Sequence, residues 1–324
     1  MRAGALNSRD AYLRIKAELD FERRYGITAA MLAIDVLLFA GGLWLVDRGA
    51  MWSFLVAQLM FATVFFRSFG LLHEAGHGNC SSQRWLNDLT GHWASIFCFT
   101  PFLPWRDLHQ KHHVWTGNAA RDPTMRNLRV WRSAGKVPLL VRLGWRTWIP
   151  LAAFAQHLVF WSYPFRLVRE DRSKLLPNVC SVLLLPVAYA TAYVAAPTLF
   201  LPVNFAIAFL LYLIVEELVN VPHHIDLCTF DGRLPLWAQA AATRSCYYPV
   251  GLSEFFVLNF NFHTEHHFFP SLPWHRLRRA RPLLKAALGD AYHEAIGIAW
   301  NLANRGVSIE RAVLGVPKSR ETAP

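Results

Sequence analysis

Four apolar stretches, each long enough to cross the roughly 30 Å of hydrocarbon in a bilayer, decide the class of this chain before any other feature. They run from Ile27 to Val46, from Met51 to Leu72 with Arg67 inside, from Asn178 to Ala196, and from Leu199 to Val219. Backbone groups in hydrocarbon must satisfy one another, so each stretch is predicted to be a helix. Composition agrees: 54% hydrophobic and 17% charged residues, with a mean hydropathy of +0.22, lie outside the usual range of a water-soluble domain. The first stretch follows a polar segment of mixed charge, residues 1–26, and has no small-residue cleavage site, so it reads as a span and not as a removable signal. Asp35 inside that span is costly as a charge, and is expected to be neutral and hydrogen-bonded to a neighbouring helix.

A net charge of +11 raises the question of nucleic acid, and the distribution of the 33 Lys and Arg residues answers it. Six precede Ile27, ten lie between Arg84 and Arg146, four between Arg166 and Lys174, and eleven follow Val221; the remaining two are Arg48 and Arg67. Positive residues gather on the cytoplasmic side of membrane proteins, which places both termini and the long middle segment there and leaves two short turns outside. The basic excess then faces anionic headgroups and acidic protein partners, with no nucleic acid expected. Five cysteines, Cys80, Cys98, Cys180, Cys228 and Cys246, show no CxxC pairing and predict neither disulfides nor a thiolate site.

These features give a single all-α integral membrane domain over residues 1–324, with four transmembrane helices in two hairpins, interfacial helices and a cytoplasmic cap, which the histidines described below make a metal-binding cap. Its parts are a cytoplasmic segment 1–26, a first hairpin 27–72, a cytoplasmic and interfacial segment 73–175, a second hairpin 178–219 and a cytoplasmic segment 221–324. The stretch from His92 to Trp105, short and holding Pro101 and Pro104, is read as interfacial or re-entrant. Trp148 to Phe165 is read as interfacial, because one more crossing would put two basic segments on opposite sides. The segment from Leu277 onward alternates Arg278, Arg279, Arg281 and Lys285 with Leu283, Leu284 and Leu288, as an amphipathic helix at headgroup level does.

Eight of the fourteen histidines fall in three tight groups. His73 and His77 form HxxxH; His109, His112 and His113 form HxxHH; His263, His266 and His267 form a second HxxHH. On a helix, positions i, i+3 and i+4 share a face, so each group aims its rings in one direction. Neutral imidazole nitrogens suit iron, zinc, copper and nickel. If the second span continues as helix, His73 lies about 10 Å beyond Phe66. His223 and His224 follow the fourth span on the same side. Ten candidate ligands therefore reach one level, and two ions with four or five nitrogens each would use eight or nine of them. His92, His157, His275 and His293 stand apart and read as surface, interface or packing residues.

With their surroundings, these histidines resemble the membrane fatty acid desaturase and hydroxylase superfamily. The likeness is carried by HEAGHGN at His73 to Asn79, WLNDLTG at Trp85 to Gly91, WRDLHQKHHVWTGNAARDPT at Trp105 to Thr124 and NFNFHTEHHFFPSLPWHRL at Asn259 to Leu277. It implies a non-haem centre of two iron ions on the cytoplasmic side of a four-span bundle, bound by His73, His77, His109, His112, His113, His263, His266 and His267, with His223 or His224 as a further ligand. It also implies O2 as oxidant, a lipid acyl substrate, and a separate electron donor: a ferredoxin, a rubredoxin, or a small haem protein with its reductase. His263 opens the third group where front-end desaturases with a fused haem domain usually carry glutamine, and no such domain is expected here. The reaction implied is desaturation, with hydroxylation or ketolation as the alternative.

Abstracting hydrogen from an unactivated methylene exceeds what an acid, base or nucleophile can do, so the metals would carry that step while the protein supplies a dry tunnel and fixed geometry. Glu74, Asp122, Glu216, Glu217, Glu265 and Asn261 are candidates to hold the free ring N–H groups. A membrane metal or haem carrier is the rival from another class. A carrier places polar ligands near the bilayer midplane, whereas these lie beyond the span ends.

Overall fold

The structure is a computed structural model that describes residues 8–118, 120–125, 136–227, 230–306 and 309. Four of its helices are long and apolar enough to cross a membrane. Two form the first hairpin: α2 (Tyr25–Asp47) and α3 (Met51–Gly76), with α1 (Ser8–Glu18) before them. Their turn closes through Gly49, whose φ of 68° suits a residue without Cβ. The second hairpin follows α4 (Arg84–Cys98), α5 (Phe102–Trp115), α6 (Leu139–Thr147) and α7 (Leu151–Glu170); it consists of α8 (Leu175–Ala195) and α9 (Val203–His224). The chain then builds a cap from β1 (Ser245–Tyr247), α10 (His263–Phe268), α11 (Trp274–Leu288), β2 (Glu294–Ile296) and α12 (Gly297–Arg305). The two strands pair in parallel, Cys246 opposite Ala295.

Burial ranks the spans. In its most apolar window α3 is 72% buried, against 11% for α2 and 17% for α8. The central helix is therefore α3, packed against α2, α4 and α9, while α2 and α8 present Leu37, Trp44, Leu183 and Val187 to the outside. Phe61, Phe65, Phe66, Phe205 and Tyr212 fill the interior, where Phe61 and Phe205 pack with ring centroids 4.9 Å apart. Gly42 permits this closeness, since a Cβ there would lie 2.5 Å from the Phe61 ring.

Two spans differ from their expected bounds by four residues or more at an end, and both differences matter for the site. Helix α3 runs on past Leu72 to Gly76 and so holds His73 rigidly. Helix α9 begins at Val203, not Leu199, because Asn204 donates its amide back to the Thr198 and Leu199 carbonyls and sets a turn through Pro202. It continues beyond Val219 through Pro222 to His224, which places His223 and His224 on helix.

Three other expectations meet the structure here. His92 to Trp105 spans two helices, with a corner where Phe99 adopts φ 55° and Pro101 precedes α5. Of the stretch Trp148 to Phe165, helix α7 takes up the part from Leu151 and runs on to Glu170; it is not among the four candidate spans. Helix α11, expected to be amphipathic, buries Leu277, Ala280 and Leu284 in a cap core with Ile15 of α1 and with Phe262, Phe268 and Phe269. Among the cysteines, Cys80, Cys98, Cys180 and Cys246 are free. Cys228 lies outside the described residues, as do the tail 310–324 and most of the basic stretch that follows Met125.

Asp35 is hydrogen-bonded to a neighbouring helix, as expected, and its partner there is a guanidinium. Its Oδ1 accepts from Arg67 Nε at 2.5 Å, both side chains being buried, and Arg67 also donates to the carbonyl of Phe255 in the turn Leu252–Phe256. The one basic and the one acidic residue inside the first hairpin's apolar stretches thus neutralise each other.

Candidate metal centre

Four elements carry nine histidines to one place: the end of α3, the end of α5, the end of α9 and the short α10. They divide into two groups. His73, His77, His109, His113 and His266 form the first; His112, His224, His263 and His267 form the second, and within each group one nitrogen per ring lies within 4.8 Å of all the others. The HxxHH motifs are thereby split. Adjacent helical residues point about 100° apart, so His112 turns to the second group while His109 and His113 serve the first. In α10, His266 goes to the first group and His263 and His267 to the second. The same rule separates His223 from His224. His224 Nε2 approaches His263 Nε2 at 2.7 Å, whereas His223 belongs to neither group; its ring stacks on His263 with centroids 4.1 Å apart and both its nitrogens lack hydrogen-bond partners among the described residues.

The spacing of the nitrogens tests whether this array fits a cation. In the first group His109 Nε2 lies 2.9 Å from His77 Nε2 and 3.1 Å from His113 Nε2, and His266 Nε2 lies 2.9 Å from His113 Nε2. In the second, His267 Nε2 lies 3.0 Å from His263 Nε2 and 3.3 Å from His112 Nε2. Ligands at right angles on one ion, with metal–nitrogen bonds of about 2.1 Å, stand about 3 Å apart. Each neutral ring has a single N–H. Protons alone cannot satisfy several converging Nε2 atoms, whereas a cation at their centre would accept all the lone pairs together.

Burial supports the neutral form the lone pairs require. His77 is pushed down to about 3, first by burial and then by the neighbouring His73. His109, His113, His263, His266 and His267 are held well below the ordinary imidazole range for the same reasons, burial first and nearby rings second.

The outer nitrogens are fixed from behind. Asp122 accepts from His112 Nδ1 at 2.9 and 3.0 Å, and Thr124 Oγ1 donates to the same carboxylate at 2.7 Å. Burial would raise the Asp122 carboxyl, but the adjacent His112 outweighs it and the net direction is down. Glu74 reaches His73 Nδ1 at 3.2 Å and also accepts the Trp274 N–H at 2.9 Å. Gln239 Oε1 holds His267 Nδ1 at 2.8 Å, and the Ala242 carbonyl holds His224 Nδ1 at 3.0 Å. Trp105 stacks on His109 with centroids 4.4 Å apart, and it fits only because position 76 is glycine: a Cβ there would sit 2.5 Å from the indole.

Of the six polar residues singled out from sequence, Glu74 and Asp122 hold rings of the two groups. Glu216 pairs instead with His157 Nε2 at 2.9 Å. Glu217 pairs with Arg305 at 2.7 Å and accepts the Ala152 and Ala153 N–H groups at the start of α7. Glu265, raised by burial, accepts from Ser245 and Tyr292. Asn261 donates to the Cys246 carbonyl. Gln239 and the Ala242 carbonyl carried no sequence signal, since nothing local marks a residue 28 positions before its partner. His157, read as an isolated packing residue, is buried and also lies near Thr100 and Tyr212. His92, His275 and His293 stand outside both groups.

Beside the histidines opens a cavity of about 280 Å³. His73, His109, His112, His224 and His263 form one end of its wall, while Phe69, Phe160, Leu151, Val221 and Trp145 make much of the rest apolar. An apolar channel ending on a cluster of metal-ligating groups is the arrangement expected where a hydrocarbon is presented to a metal.

Comparison with known proteins agrees with this geometry. The family described as Fatty acid desaturase matches residues 49–297, from the start of α3 to the end of β2. The chain is 26% identical over 268 residues to the sn-1 acyl-lipid omega-3 desaturase (ferredoxin) of Nostoc sp. (strain 36), covering 77% of this chain and 72% of that protein. It is 27% identical to the Delta(12) fatty acid desaturase fat-2 of Caenorhabditis elegans, over 67% of this chain and 61% of that one. It is 24% identical to the sn-1 oleoyl-lipid 12-desaturase of Anabaena variabilis, over 86% of this chain and 82% of that one. With its three histidine motifs, four membrane-length helices and a family match across most of its length, the chain belongs to the fatty acid desaturase family and is an oxidoreductase.

Proposed function

We propose that this enzyme introduces a carbon–carbon double bond into a lipid acyl chain, using O2 and two iron ions. The first ion would be held by His73, His77, His109, His113 and His266, and the second by His112, His224, His263 and His267. The observation that carries the reading is the convergence of nine ring nitrogens into two groups at the wall of an apolar cavity. Bound there, the iron pair would supply the O2-dependent oxidation that no side chain can perform. Taking two hydrogens from adjacent methylenes while O2 becomes two waters needs two electrons and two protons, so a donor such as a ferredoxin, a rubredoxin or a small haem protein is part of the system. The site and both termini are assigned to the cytoplasmic side on the distribution of Lys and Arg.

The chain's own groups hold the reaction in place. Asp122, Glu74, Gln239 and the Ala242 carbonyl keep the rings oriented, so that iron binding does not have to order them. Phe69, Phe160 and Val221 keep water from an aliphatic chain lying against the histidines. Expression in a bacterial host followed by lipid mass spectrometry tests the reading: loss of two hydrogens from an acyl chain is expected. Gain of one oxygen would make the enzyme a hydroxylase. No change in any lipid, with purified protein carrying metal into vesicles, would overturn the enzymatic reading.

A further inference from the structure

The turn between β1 and α10 turns its apolar side chains outward and its polar ones inward. Val250, Leu252 and Phe255 are exposed, whereas the Ser253 hydroxyl is buried, 2.7 Å from Asn261 Oδ1. Its backbone closes on itself: the Ser253 N–H donates to the Pro249 carbonyl at 2.8 Å, that of Val257 to Leu252 at 3.1 Å and that of Asn259 to Ser253 at 2.7 Å. The Phe255 carbonyl accepts from Arg67. A segment whose backbone hydrogen bonds are met by the protein can enter a lipid layer, and one whose bonds are open cannot.

Contacts with the spans fix the depth of the turn. The Arg67 guanidinium lies 4.4 Å from the centre of the Phe255 ring and also reaches Asp35 and, at 3.2 Å, the Met31 sulfur of α2. Met31 and Asp35 stand about 6 and 12 Å past Ile27, where the first apolar stretch begins. Phe256 stacks on Phe66 with centroids 5.8 Å apart. Leu258 packs against α3 where position 70 is glycine; a Cβ there would lie 3.1 Å from its side chain. Residues 255–258 therefore lie along Phe66 to Gly70, inside the second apolar stretch, although they belong to the chain that follows the last span. A basic rim stands beside them: Arg278 of α11 pairs with Glu254 at 2.7 Å, both exposed, and Arg279 is exposed next to it.

We infer that the turn Pro249–Phe256 is inserted into the cytoplasmic leaflet, with Val250, Leu252 and Phe255 among phospholipid acyl chains and with Arg278 and Arg279 beside anionic headgroups. Three observations select lipid as the occupant. The apolar face continues the surface of α2 and α3, which bilayer already covers. The level of Phe255 is below the start of the first apolar stretch, where a cytoplasmic protein does not reach. The adjoining cations match the negative charge of that leaflet, and an apolar face with a basic border is what lies at a membrane interface. Arg67 gains a role as well: it ties the cap to the first hairpin by holding Asp35 on one side and the turn on the other. The inference goes beyond the reaction catalysed and needs only that α2 and α3 cross the bilayer.

The test is a depth measurement on the full chain in vesicles of phosphatidylcholine and phosphatidylglycerol. A cysteine replaces Val250 or Leu252 and carries a bimane fluorophore; Cys180→Ser and Cys228→Ser form the background, since Cys80, Cys98 and Cys246 are buried. Leu37→Cys, exposed in the first apolar stretch, is the standard for hydrocarbon, and Arg233→Cys, exposed in the cap, is the standard for water. Quenching by lipids with a nitroxide on the headgroup, high on the acyl chain or near its end gives depth, and quenching by iodide gives access from water. Tm checks the fold of each labelled protein. Labels at both positions of the turn are expected about 5–10 Å inside the boundary between headgroups and acyl chains, with iodide access close to that of Leu37. Iodide quenching equal to that of Arg233, with no quenching by acyl nitroxides, overturns the inference. Loss of iodide access without nitroxide quenching means that protein covers the face, and overturns it equally.

Discussion

Replacing Asp122 separates the role of ring orientation from that of the ligands themselves. Its two oxygens lie 2.9 and 3.0 Å from His112 Nδ1, and they also accept the Thr124 hydroxyl at 2.7 Å, the Thr124 N–H at 3.0 Å and the Gly117 N–H at 3.3 Å. The carboxylate therefore keeps the proton of His112 on Nδ1 and leaves Nε2 bare toward His267. Asp122→Ala removes the carboxylate, leaves the Thr124 hydroxyl, 3.3 Å from His112 Nδ1, as the remaining acceptor, and frees the ring to take the other tautomer. Losing such an orienting carboxylate typically weakens metal binding by about 10- to 100-fold, or about 1.4–2.7 kcal/mol. The loss should fall on the second group, which has only four histidines. Asp122→Asn, which keeps one oxygen, should lie between alanine and wild type. Iron per chain is measured after dialysis against graded chelator, with Tm as the control for folding. If Asp122→Ala holds iron as tightly as wild type while folded, the orientation account fails.

Four further outcomes are expected. His266→Ala and His112→Ala should each lower bound iron, through the first and second groups respectively, while His223→Ala and His293→Ala should keep it; equal iron in all four variants would refute the division. Arg305→Met strands the Glu217 carboxylate in a buried site, where breaking a pair costs about 3–5 kcal/mol, so Tm in detergent should fall well below that of wild type. Adding Glu217→Gln should recover part of the loss, and no recovery would show that Arg305 acts through its packing on Trp145 and Trp148 instead. Asp35→Leu alone should destabilise more than Asp35→Leu combined with Arg67→Met, because the single change leaves a guanidinium unpaired in an apolar interior.

The spans and the histidine motifs were legible because each is local: hydropathy over twenty residues, and imidazoles at helical spacing. The division of those imidazoles between two groups was not. It depends on α5 and α10 facing each other, so that His113 meets His266 across 153 positions of sequence. The choice between His223 and His224 follows from one fact absent from the hydropathy pattern, that α9 continues through Pro222; a proline this late in a helix sacrifices a hydrogen bond, yet the turn survives because tertiary packing holds it. Carboxylates were the least readable. Glu74 lies inside a histidine motif and Asp122 nine residues after one, and each holds a ring of that motif, whereas Glu216 and Glu217 owe their partners to α7 and α12, which no local pattern ties to α9. The amphipathic signal of α11 is real, and its apolar face packs on α1 and α10; amphipathicity alone does not name the covering partner.

Elemental analysis of purified protein that desaturates lipid tests the central claim most directly. Two irons per chain are expected, falling to about one when either His266 or His112 is replaced by alanine. Active protein containing a single metal ion, or none, would contradict the account.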